Sequence, residues 1–170
     1  MGAYESQLKS DRAKLHRRLA AAIEARNPTS ADQNAALIAE HIEAAGDLPA
    51  AFNGHMCAGT WAATRGMAAA RVSWERARQI ADDLPTDYPN RTAMPIAART
   101  MVCATSWRGE YQSISRRVDE LRDLCAAAGD KVSLAMGMFE LAGEHMRYGR
   151  LREASRLFAE QIALVADHEN

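Results

Sequence analysis

The segment LAGEHMRYGRLREASRLFAEQIAL, Leu141 to Leu164, leaves the chain few folds to choose from. Its apolar residues recur at helical spacing on both sides of Gly149-Arg150, which predicts two helices folded back through a tight turn. Small Ala142 and Ala154 fall where antiparallel helices approach closest. Large Leu141, Leu157 and Phe158 fall where the space between them must be filled. Weaker versions of the same layout recur upstream, the pattern of stacked helical pairs. Composition agrees. Aromatics make up only 6% of 170 residues, so Ala, Leu, Ile and Met must build the core, and Ala is the best helix former.

Leu8, Leu15, Leu19 and Ile23 mark an apolar stripe on a first helix, whose other face carries Arg12, Lys14, Arg17 and Arg18. Asn27-Pro28 ends it. Ser30 with Gln33 forms a capping box for a second helix, with Ala35, Ile38, Ile42 and Ala45 as its stripe and Gly46 as its left-handed stop. Pro49 opens a third helix through Phe52, Met56 and Trp61. It turns at Arg65-Gly66 into a fourth that carries Ala70, Trp74, Ala77 and Ile80. DLPTDYPN, Asp83 to Asn90, is the longest loop and the expected joint. A fifth helix carries Ile96, Met101 and Val102 and ends near Trp107. A sixth carries Tyr111, Val118, Leu121 and Cys125 and closes at Gly129-Asp130. The last two begin near Lys131 and Arg150. The expected fold is all-α, about eight helices joined by loops of about two to eight residues.

Superposing the turns sets Ala58, Trp61, Ala70, Trp74 and Ala77 on Ala142, His145, Ala154, Phe158 and Gln161. The pairs Ala58/Ala142, Ala70/Ala154 and Trp74/Phe158 keep their size class. A middle hairpin with Val102, Ile114 and Val118 is more degenerate. Antiparallel hairpins stacked as an irregular tetratricopeptide-like solenoid, with a period of about 40 residues, follow from this.

Several chemistries lack their residues. No GxxxxGK[ST] or GxGxxG cradle is present for phosphates, no HExxH for zinc and no GxSxG elbow for a serine nucleophile. His16, His41, His55, His145 and His168 have no second His or Cys one helical turn away, so no metal and no cofactor are expected. Cys57, Cys103 and Cys125 are widely spaced without a CxxC pair and read as reduced structural thiols. Asn90-Arg91-Thr92 matches a glycosylation sequon but reads as a turn and helix cap after Pro89. A net charge of −1 supplies no field for nucleic acid, and the basic cluster Lys9, Arg12, Lys14, Arg17 and Arg18 reads as a solvated helix face. Trp74 fills the core, whereas Trp61 and Trp107 are less committed. A polar start without a signal sequence and no long apolar run place the chain in the cytoplasm, with no membrane partner.

AYESQLKSDRAKLHRRLAAAIEARN followed by NAALIAEHIEAAGDLPAAF resembles a junction in large STAND-type signalling ATPases of actinobacteria, particularly mycobacteria. Those proteins carry an adenylate-cyclase domain in front or a LuxR-type DNA-binding domain behind. Tyr4-Glu5-Ser6, Arg12, Leu15-His16-Arg17-Arg18 and Ala20 to Glu24 resemble the tail of the ATPase-associated winged-helix region. Ala39-Glu40-His41 and Gly46-Asp47 to Ala51 resemble the start of the tetratricopeptide-like sensor array. The resemblance thus implies a boundary between residues 1–28 and 29–170. The Walker motifs, cyclase residues and DNA-reading helices of the family have no counterpart here, so none of those activities carries over. The chain resembles the regulatory segment standing alone, as a short protein, a cut-down piece or a gene remnant.

The resulting expectation is a non-catalytic interaction and sensor module. The alternative is a fragment or subunit of a cyclase- or LuxR-linked regulator that acts through a separate ATPase. In tetratricopeptide geometry the first helix of each pair lines a concave face, and phase relative to Ala58, Val102 and Ala142 nominates Phe52, His55, Arg99, Cys103, Trp107, Phe139, Met146 and Arg147. A protein or peptide, an ATPase or cyclase regulator among them, is the expected partner. Leu157, Phe158, Ile162, Leu164 and Val165 predict self-association through the C-terminal hairpin.

Overall fold

A computed structural model describes residues 2–26, 31–85, 87–105 and 111–166. Among these residues the chain is all-helical. It runs through α1 (Gly2–Arg26), α2 (Ala31–Ala44), α3 (Leu48–Ala63), α4 (Met67–Asp83), α5 (Ala93–Ala104), α6 (Tyr111–Ala128), α7 (Lys131–Arg147) and α8 (Leu151–Ala166). It divides into two compact units, Met1–Pro85 and Thr86–Asn170, and the division falls inside the expected loop. The boundary expected at residue 28 and the capping residue Ser30 lie outside the described residues, as does Trp107. α1 belongs with the first unit.

The helix ends follow local chemistry. Gly46 and Gly149 stop α2 and α7 with φ of 83° and 68°, a region where any Cβ would be strained. The Asp47 carboxylate accepts from Ala50 N at 3.2 Å with Pro49 in the first turn of α3. The Asp130 carboxylate accepts from Ser133 N at 2.9 Å and starts α7 in the same way. Asn90 takes a left-handed φ of 63°, and its carbonyl accepts from Met94 N. It therefore acts as a turn residue rather than as a side-chain cap.

In the first unit each helix packs on the next in the chain. His16 of α1 meets His41 of α2, Ala39 of α2 faces Gly54 of α3, and Gly59 of α3 faces Trp74 of α4. The two residues of each contact lie about equally far along the chain from the connection between their helices, the sign of antiparallel neighbours. A Cβ on Gly54 would sit 2.8 Å from that of Ala39, and one on Gly59 would enter the Trp74 ring, so glycine sets how closely α3 approaches both neighbours. α1 departs from expectation. Leu15 is 63% exposed, and Leu8 and Leu19 are exposed too, while buried Ala20 and half-buried Ala13, His16 and Ile23 face inward. Small side chains allow the closer approach, and Arg17 adds a hydrogen bond to the Ala45 carbonyl at 3.3 Å.

In the second unit α6 packs against α5 and α7, and α7 against α8. The core gathers Ile96, Cys103, Ile114, Val118, Leu121, Cys125, Leu134, Met138 and Leu141. α7 lies alongside α5: the Thr100 hydroxyl donates to the Ser133 carbonyl at 3.5 Å, 33 residues on, and Gly137 sits over Cys103. In the first unit Arg76 of α4 reaches back 33 residues to Glu43 of α2. Both ties span 33 residues, while α4, α6 and α8 begin at Met67, Tyr111 and Leu151, spacings close to the expected period of about 40 residues.

Burial pushes the Cys103 thiol up to about 12 and the Cys125 thiol up to about 11. Cys57 is exposed. Iodoacetamide at mildly alkaline pH should therefore label Cys57 in the folded chain and reach Cys103 and Cys125 only after denaturation. Equal labelling of all three in the native state would contradict this packing.

Candidate functional site

α7 carries two stripes where a helix at the edge of a core needs one. Leu134, Met138, Leu141, Ala142 and His145 face inward and are buried. Half-buried Val132, exposed Met136 and Phe139, half-buried Gly143 and exposed Met146 recur at alternating spacings of four and three, one continuous face. Met136, Phe139 and Met146 are 51%, 59% and 53% exposed. An open cleft of about 420 Å³ lies on this face, lined by Ala104, Ala135, Met136, Phe139, Gln161 and Val165.

The walls of the cleft are fixed from below. Gln161 of α8 donates to the Ala135 carbonyl at 2.7 Å, and the Phe158 ring meets Phe139 edge-on with centroids 6.5 Å apart. Arg122 of α6 pairs with Glu160 of α8 and pins the second helix of each hairpin to the other. One edge of the stripe is charged. Arg147 Nε donates to Glu144 Oε2 at 2.7 Å, and Arg147 Nη2 lies 3.7 Å from Glu140 Oε2. Glu144 is buried, so Arg147 neutralises a charge that would otherwise be costly there.

Of the residues nominated for a concave face, the structure brings Phe139, Met146 and Arg147 together on this exposed side of α7. Arg99 is half-buried on α5. Phe52, His55 and Cys103 are corrections, because all three are buried. Phe52 is 5% exposed inside the first unit, His55 is held among polar partners from α2 and α4, and Cys103 lies beneath α7. Phase alone sets first-helix residues toward a groove, yet on α3 and α5 a neighbouring helix covers the same angle. Sequence reasoning missed Met136 and Gly143, whereas Val165, expected only as part of the sticky end of the C-terminal hairpin, also lines the cleft. The signal was present in the second stripe of α7 at spacings of four, three, four and three.

In the first unit a cleft of about 380 Å³ is lined by residues including Asp32, Gln33, Ala36, Trp61, Val72 and Ser73. Arg65 lies over the Trp61 ring at 4.0 Å and shields it. Trp74 is a core residue, 1% exposed.

His55 belongs to a structural network. Its Nε2 lies 3.4 Å from Glu43 Oε2, and Arg76 Nε donates to the same oxygen at 2.9 Å. The Arg76 hydrogen bond holds the Glu43 carboxyl below its ordinary value, while burial holds His55 below its own. Both shifts stabilise the fold at neutral pH, and both contributions fade with acid. The His55 contribution declines as pH falls below 6.5 toward its lowered folded value, and the Glu43 contribution declines below 4.5. Thermal melts should show the first unit losing stability from about pH 6.5 downward. His55→Gln should flatten the upper part of that profile. An unchanged profile in the variant would remove His55 from the account.

Among the described residues no three His, Cys, Asp or Glu side chains are grouped to hold a metal ion. No described helix is long and apolar enough to cross a membrane. No family model, curated protein or solved structure matches the chain.

Proposed function

We propose that this chain is a non-catalytic protein-docking module that acts in the cytoplasm, with the open face of α7 as its contact surface. The observation that supports it is the continuous stripe of Met136, Phe139, Gly143 and Met146, exposed beside a cleft of about 420 Å³ and backed by a firmly cross-tied hairpin. An apolar stripe left open on a helix face costs solubility, and contiguous patches of this kind mark contact surfaces. Methionine and phenylalanine suit the role because flexible thioethers and a flat ring adapt to a partner's side chains. On the resemblance to signalling ATPases, the assembly that the module serves includes an ATPase or cyclase subunit.

Affinity capture from an extract of the source cells tests this reading. The wild-type chain and Phe139→Asp are used as baits, and bound proteins are identified by mass spectrometry. Phe139 is 59% exposed, so the variant should stay folded and lose little beyond its edge contact with Phe158. A protein held by the wild type and lost by the variant is the expected result. An identical bound set for both baits would reject α7 as the contact surface.

A further inference from the structure

The glycines of the described helices show what belongs on the open stripe. Gly54, Gly59 and Gly137 each receive a side chain from an adjacent helix, from Ala39, Trp74 and Leu121 in turn. A helix-interior glycine lowers stability relative to alanine, and close approach is the usual compensation. Gly143 has no such neighbour. A Cβ there would meet only Arg147 Nη1, at 3.8 Å. It leaves a notch in the middle of the exposed stripe, between Phe139 and Met146.

The residues around the notch are self-complementary. Phe139 and Met146 share one edge of the stripe, and Glu140 and Arg147 share the other, each pair seven residues apart and straddling Gly143. When two identical helices cross antiparallel, like edges meet. A crossing centred on Gly143 therefore sets Phe139 beside Met146 of the second copy, and Glu140 beside Arg147 of the second copy. The two glycines meet at the point of closest approach. Each contact occurs twice, as an isologous interface requires.

We infer that the partner at this face is a second copy of the chain, docked α7 against α7 in antiparallel fashion about Gly143. This rests on the reading of α7 as a docking surface and names its occupant. A sulfur–aromatic contact then flanks the crossing on one edge, and on the other the Glu140–Arg147 pair within each copy meets that of the second copy. The exposed stripe is short, so the dimer is a transient one of micromolar affinity.

Sedimentation velocity of the full chain across the micromolar range is the test. The expected result is a monomer–dimer equilibrium that Gly143→Gln and Met146→Asp each weaken by about tenfold or more. The first fills the notch, and the second sets a charge against the Phe139 ring of the other copy. Met146 is 53% exposed and a Cβ on Gly143 meets only Arg147 Nη1, so circular dichroism should show unchanged helix content. Ile162→Asp, on exposed α8, should leave the equilibrium unchanged. A monomer at every concentration, or a dimer insensitive to Gly143→Gln, or one abolished by Ile162→Asp, would overturn the inference. If the chain is a monomer but Phe139→Asp still loses a captured protein, the docking surface stands and only its occupant is wrong.

Discussion

Replacing Trp74 with alanine should destabilise the first unit by about 3 to 5 kcal/mol. The ring is 1% exposed and closes against Gly59, with Ala70 and Ala77 on the same stripe of α4. None of these small neighbours can swing into the space that the indole leaves, so the cavity persists and the full transfer and cavity costs are felt. Chemical denaturation followed by circular dichroism would measure it. A loss below about 1 kcal/mol would mean that α3 and α4 can collapse together and that Trp74 is not the spacer between them.

Leu121→Ala should cost the second unit about 2 to 5 kcal/mol, toward the upper end. Leu121 is 0% exposed, and its Cδ2 occupies the space where a Cβ on Gly137 would go. A cavity beside a glycine has no side chain able to relax into it. The same contact predicts a coupling. Gly137→Ala should be unfavourable alone, because its Cβ collides with Leu121, yet favourable in the Leu121→Ala background, where it refills part of the hole. A double-mutant cycle should show about 1 to 3 kcal/mol of interaction, and strict additivity would contradict the packing.

Much of the architecture was legible from residue chemistry. Gly46, Gly129, Gly149 and Pro49 punctuate the helices where their backbone preferences require, and the chain divides in the Asp83 to Asn90 loop. Periodicity identifies an apolar stripe but not which of two stripes is covered. On α1 the leucines of the stripe are open, and Ala20 packs with half-buried Ala13, His16 and Ile23 beside it. On α3 and α5 the nominated Phe52, His55 and Cys103 are taken by neighbouring helices. Among the nominees that the structure describes, Phe139, Met146 and Arg147 on α7 are the exposed ones. That distinction depends on which helices flank each one, information that intrinsic propensity does not carry.

Docking through α7 requires that Gly143 serve something outside its own fold. Thermal unfolding of Gly143→Ala, run at a concentration where the chain is monomeric, tests that requirement most directly. With open space at its Cβ position, alanine should raise stability by about 0.5 to 1 kcal/mol through helix propensity alone. A lowered melting temperature would show that Gly143 is packed within the chain after all and that the stripe has no notch to offer.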